Sequence, residues 1–234
     1  MKKLFALLFF GLFIGRANAQ TDSISSKILT KAETEEFFTT AFKKKYLINF
    51  PIFRAYAYTD KSGKYYVALT ESADTVNKQK DTVNYTIKAF NFKVDKTATL
   101  KKWEINDFRT PNVKGEEKEE SIWFWTKYCE FNDIDNDGLI DPIIIYGTFG
   151  TEGYTDGRAK IILYYKGQKT AIRHQNSALD PSRKTQVDLT FYSLPAKIQD
   201  HVKELMNKMV TNKHAIFPTD YTGKMEKKVT QIGN

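Results

Sequence analysis

The sequence predicts an α+β fold: one domain, with a largely antiparallel sheet meander and a helix near each end packing on it. Three observations predict it. The apolar runs at 121–131, 142–149 and 158–166 follow one another through short connections, whereas a parallel crossover needs roughly a dozen residues or more. Those runs are apolar at both parities, which is how strands buried on both faces read. Two segments at opposite ends of the chain carry apolar residues at helical spacing instead. No internal repeat or low-complexity linker divides residues 20–234, so they form a single domain, with loose ends expected at both termini.

The elements follow in order. Lys2 and Lys3 precede an apolar run from Leu4 to Gly15, and Ala17-Asn18-Ala19 then offers a small-x-small cleavage site. Residues 1–19 thus read as a secretory signal peptide. The run is too short to cross a bilayer of roughly 30 Å, so the mature chain is expected to carry no transmembrane span. Residues 20–29 are polar and expected to be a loose leader. Thr30-Lys31-Ala32-Glu33 has the form of a capping box, and Phe37, Phe38, Ala41 and Phe42 follow on one face. The spacing predicts a helix over 31–46, with acids early and Lys43 to Lys45 late, as the macrodipole favours.

Strand patterns occupy 47–58 and 64–71, joined by Thr59-Asp60-Lys61-Ser62-Gly63 as a hairpin turn. A polar loop at 72–82 leads to strands at 84–94 and 98–108. Residues 109–120 read as a charged surface loop. After the three apolar runs comes a short strand at 169–174. A second helix at 195–210 opens at Pro195 and stripes Ile198, Val202, Leu205, Met206 and Met209 on one face. The stretch after Pro218 is polar and basic and expected to be loosely held.

Composition removes several classes of function. A single Cys excludes a disulfide framework and every multi-Cys metal site, and three His leave little for a His-built centre. The net charge is +8, of which Lys2, Lys3 and Arg16 contribute three, so the mature chain carries +5. Its lysines are scattered, and an exported chain meets no chromosome, so no nucleic-acid partner is expected. There is no G-x-S-x-G elbow, and Cys129 sits in an apolar run where a thiol is packing.

The most informative stretch is Asp133-Ile134-Asp135-Asn136-Asp137-Gly138-Leu139-Ile140-Asp141. Asp stands at positions one, three, five and nine, with Gly at six. Calcium takes six to eight oxygens at about 2.3–2.6 Å. Alternate side chains in a tight loop converge on such an ion, and Gly138 permits the turn that adds the carbonyl of Leu139. The expected ligand set is Asp133, Asp135, Asp137, Leu139 and Asp141, with calcium in a structural role. Glu152 or Asp156 from the following loop could complete the shell. Position twelve is Ile144 rather than Glu, and the flanks are strand-like, so this is not an EF-hand. The spacing resembles the strand–loop–strand calcium loops of integrin-type and FG-GAP-type propeller blades. One copy is present where a propeller needs several.

Arg173-His174-Gln175-Asn176 is the densest polar cluster elsewhere. It reads either as a candidate ligand patch or as a buried hydrogen-bond network. Glu104, Glu119, Glu120 and Glu130 are the candidates for a dispersed hydrolytic carboxylate pair. Trp103, Trp123 and Trp125 suit either a core or a platform for sugar rings.

Several segments together carry a wider resemblance: Trp103 to Phe108, Ser121 to Tyr128, the Asp loop with Pro142 to Gly147, Asp156-Gly157-Arg158, and Arg173 to Asn176. Over about 47–218 the chain resembles a family of small exported bacterial proteins, some labelled for surface-polysaccharide biosynthesis. The resemblance implies a cell-envelope role and transfers no reaction. The expectation is an exported, periplasmic or extracellular, non-enzymatic accessory or binding protein, stabilised by calcium and contacting envelope glycan or envelope protein. An envelope glycan hydrolase is the alternative.

Overall fold

The computed structural model describes residues 24–96, 98–110, 119–150 and 152–233. The expected signal peptide at 1–19 and most of the charged loop at 109–120 lie outside the described residues.

Two antiparallel sheets share one interior. The first contains β1 (Ser25–Ile28), β2 (Ile52–Asp60) and β3 (Gly63–Glu71). A small separate hairpin, β4 (Thr75–Val76) and β5 (Thr82–Val83), then intervenes before β6 (Thr86–Val94) and β7 (Thr99–Phe108). Its order is β1-β2-β3-β6-β7, a meander. The second sheet contains β8 (Glu119–Phe124), β9 (Glu130–Asn132), β10 (Asp141–Gly150), β11 (Arg158–Tyr165), β12 (Gln168–Gln175), β13 (Lys184–Val187) and β14 (Gln231–Ile232). Its order is β14-β13-β12-β11-β10-β8, with β9 pairing the other end of β10.

Strand alternation explains why both parities are apolar. Tyr56 and Tyr58 of β2, Val67 and Leu69 of β3, Ile144 and Tyr146 of β10, and Ile162 and Tyr164 of β11 meet in the core between the sheets. Their neighbours face outward onto helices. Ala55, Ala57, Ala68, Phe90 and Phe92 pack with Phe38, which caps the C-terminus of α1 (Lys31–Phe37), and with Phe42 of α2 (Thr40–Tyr46). Ile143, Ile145, Ile161 and Leu163 pack with Ile198, Val202, Leu205 and Met209 of α3 (Ala196–Thr211). Covered on both faces, central strands such as β10 are buried on both sides, whereas β1 and much of β7 stay exposed.

Four local expectations are corrected. The helix over 31–46 is two helices. The capping box forms, with Glu33 N donating to Thr30 Oγ1 at 3.2 Å and Thr30 N to Glu33 Oε2 at 2.8 Å. But Thr39 accepts from Phe42 N at 3.2 Å and starts a second helix, a local side-chain bond that competes with continuation. Part of the supposed loose leader is β1, which pairs with β2 over Ser25 to Ile28. The run 121–131 is interrupted. Trp125 N reaches Ile145 O at 2.9 Å, Tyr128 N turns back to Trp125 O at 2.8 Å, and Ile145 N donates to Cys129 Sγ at 3.4 Å. The C-terminal stretch is anchored, not loose. α4 (Tyr221–Glu226) buries Met225, and β14 buries Ile232 against β13. Two apolar side chains in a polar segment are too few to show a period, yet enough to hold it. No described helix is long and apolar enough to cross a membrane.

Candidate metal centre

The acid loop connects β9 to β10. Its path depends on two left-handed residues, Asn136 at φ 64° and Gly138 at φ 87°. Asn tolerates that region and glycine adopts it without steric cost. The carboxylates of Asp133 and Asp137 help hold the turn by accepting from loop amides. Asp137 N and Gly138 N donate to Asp133 at 3.0 and 2.9 Å, and Leu139 N to Asp137 at 2.9 Å.

The loop brings ligand atoms of Asp133, Asp135 and Asp141 within 4.8 Å of one another. Asp141 is the most telling member. It is 1% exposed. Its Oδ2 accepts from Ile134 N at 3.1 Å, while its Oδ1 is buried with no partner among the described residues. Burial, reinforced by the negative charges of Asp135, Asp137 and Asp133, pushes its carboxyl up to about 7. No described Lys, Arg or His forms an ion pair with these three acids. Three carboxylates, one of them buried and the other two partly exposed, offer the oxygen-only chemistry that a hard cation takes.

Asp137 is not brought to that point. It pairs with Lys166 at 2.9 Å, whose hydrogen bond holds the Asp137 carboxyl below its ordinary value. Asp156 accepts from Gly150 N and Glu152 N at 2.9 and 3.0 Å within its own loop.

The sequence reading missed the clamp on this loop. Asp60, at the β2–β3 turn of the other sheet, is 4% exposed. It accepts from Ile140 N at 3.1 Å and from Ser62 N at 2.8 Å. Lys61 N donates to Gly138 O at 3.1 Å, and Lys61 Nζ reaches the carbonyl of Asp137. Tyr165 donates to Asp135 Oδ2 at 2.9 Å. Asp60 and Lys61 looked like ordinary turn residues, and no spacing in the chain connects them to residues about eighty positions on.

Strand alternation puts His174 and Asn176 of the Arg173-His174-Gln175-Asn176 run on the buried side, while Arg173, His174 and Gln175 border one open depression with Arg158, Lys160 and Lys184. Arg173 pairs with Asp188 at 2.6 Å. His174 and Asn176 are buried. His174 Nε2 lies 2.7 Å from Asn176 Oδ1, and Nδ1 lies 2.9 Å from Thr185 Oγ1. A neutral imidazole satisfies both, and burial pushes its pKa down to about 4. Asn176 also donates to Tyr154 O at 2.7 Å and accepts from Ile216 N at 2.8 Å.

Three of the dispersed glutamates are already paired. Glu104 binds Lys101 at 2.5 Å, Glu130 binds His201 at 2.5 Å and Glu119 binds Arg158 at 2.6 Å. Comparison with known proteins finds no matching family model, no significantly similar curated protein and no significantly similar solved structure.

Proposed function

We propose that this is an exported, non-enzymatic accessory or binding protein of the cell envelope, acting on or beside surface polysaccharide. One calcium ion in the acid loop stabilises it. The observation that carries the metal reading is Asp141: a buried carboxylate grouped with Asp133 and Asp135, with one oxygen unpartnered and no balancing cation among the described residues. A hard dication supplies the missing charge, and the absence of His or Cys in the cluster favours calcium over softer metals. The carbonyl of Leu139 and, once released from Lys166, the carboxylate of Asp137 are the further ligands that the spacing expects.

The role is structural. The loop is clamped between the two sheets through Asp60 and Lys61, so an ion there fixes one sheet against the other. Export rests on the leader pattern at 1–19. The polysaccharide link rests on the family resemblance and on the aromatic content.

A thermal melt of residues 20–234 tests the metal reading, with chelator and then with millimolar calcium, for wild type and Asp141→Ala. A rise in melting temperature confined to the wild type supports it. No rise in the wild type would reduce the loop to an acidic turn.

A further inference from the structure

Between the open ends of the two sheets, beside the acid loop, lies a cavity of about 340 Å³. Specific small-molecule pockets start near this size, at roughly 300 Å³. Two stacked aromatic pairs contribute to its lining. Tyr58 and Tyr65 of the first sheet lie 4.6 Å apart at 10°, and Trp103 and Tyr164 stack across the sheets at 4.3 Å and 5°.

Asn91 also lines this cavity and is 0% exposed. Its Nδ2 donates to Tyr58 Oη at 2.8 Å, and its Oδ1 has no partner among the described residues. Turning the amide over only moves the deficit to the nitrogen. A buried polar group left in this state costs about 1–3 kcal/mol, so it is a place where a ligand's hydroxyl would be rewarded. Lys102 stands at the rim, exposed and without an ion pair among the described residues.

We infer that this cavity is a binding site for a sugar ring, and that Lys102 selects a ring bearing a carboxylate. A pyranose has an apolar C–H face and a polar edge of hydroxyls. Aromatic walls suit the first, and the amide of Asn91 with the phenol of Tyr58 suits the second. Leu139 and Ile140 of the acid loop form part of the wall, so an ion in the loop fixes one side of the site. Ion and sugar then assist each other by the same factor. The assignment rests on the glycan reading above and locates it.

Methyl glucuronide and methyl glucoside are the probes, titrated by saturation-transfer NMR into the mature chain with calcium. Variants Asn91→Leu and Lys102→Glu are compared with wild type. The expected result is binding of both sugars, with the glucuronide favoured about tenfold, the size of one charge-assisted hydrogen bond. Lys102→Glu removes that preference. Asn91→Leu weakens both sugars about tenfold; it removes the unpartnered oxygen but also the amide partner of Tyr58 Oη, so its melting temperature is measured alongside and the comparison is made on the folded variant. Folded wild type that binds neither sugar, or Asn91→Leu that binds like wild type, overturns the assignment. The calcium-dependent melt of the same samples is read separately. A calcium shift without sugar binding defeats the cavity alone, and sugar binding without a calcium shift defeats the ion alone.

Discussion

Two groups of carboxylates, each with a buried member, occupy different parts of this sandwich, and they are solved in opposite ways. Asp107 and Glu119 come from β7 and β8. Arg158 and Lys160 of β11 meet them, with Arg158 Nε at 2.6 Å from Glu119 and Lys160 Nζ at 2.6 Å from Asp107. Thr148 adds a hydrogen bond to Glu119 at 2.7 Å. Desolvation opposes the charge on both acids. The hydrogen bonds and charges of Arg158 and Lys160 outweigh it, so both carboxyls lie below their ordinary values. In the acid loop no such partner among the described residues reaches Asp133, Asp135 or Asp141, and burial drives Asp141 the other way. Burial is common to both places. The presence or absence of a balancing cation among the described residues separates a structural ion cluster from a candidate cation site.

The largest test breaks the balanced cluster. Arg158→Met leaves Glu119 without its counter-charge and removes the lesser of two from Asp107, and should cost about 3–5 kcal/mol in urea unfolding, equally with and without calcium. A loss that calcium repairs would mean the two regions are not independent. Next, calcium at about a hundred times its dissociation constant should stabilise the wild type by about 2.7 kcal/mol. That amounts to roughly 5–10 °C in a melt of a chain this size, and Arg158→Met should retain it. Asp141→Asn is smaller and opposite in sign. Removing a charge that nothing balances should stabilise the chelated protein by about 1 kcal/mol and abolish its calcium response.

Acid sharpens the comparison further. Asp107 and Glu119 have lowered folded pKa values. Their contribution is therefore complete above the unfolded values of about 4 and is lost as pH falls through the folded ones. Urea midpoints measured below pH 5 should fall more steeply for wild type than for Arg158→Met. The smallest effect is expected for Lys166→Met. Its pair with Asp137 is half exposed, and such pairs contribute little. The chelated melt should hardly move, while calcium affinity rises a few-fold as Asp137 is freed.

How much was legible beforehand depends on the range of the interaction. The strands at 142–149 and 158–166 were readable because their apolar residues sit on both faces over a continuous run. The stripe from Ile198 to Met209 was readable because it repeats at the helical period. The break at Trp125 to Cys129 was not, because the same apolar letters serve a strand and a tight turn that β10 spans. The split at Thr39 hid behind a continuous helical stripe, and the anchoring of β14 rests on Ile232 alone. For the site, the spacing of Asp133, Asp135 and Asp141 pointed to one cluster, and those three do converge. It also included Asp137, which Lys166 takes away.

The sequence by itself determined the antiparallel sheet architecture, the position of the acid loop between two strands and the clustering of its carboxylate oxygens. Each of these follows from periodicity or spacing over a few neighbouring residues. The tertiary structure alone decided that the strands divide into two sheets and that Asp60 and Lys61 clamp the loop. It also decided that Arg158 and Lys160 neutralise one pair of acids, and that nothing in the described chain neutralises the other group. Those are matters of which charges meet across the fold, and Coulomb energies depend on distance in space and on burial, neither of which is written in local order along the chain.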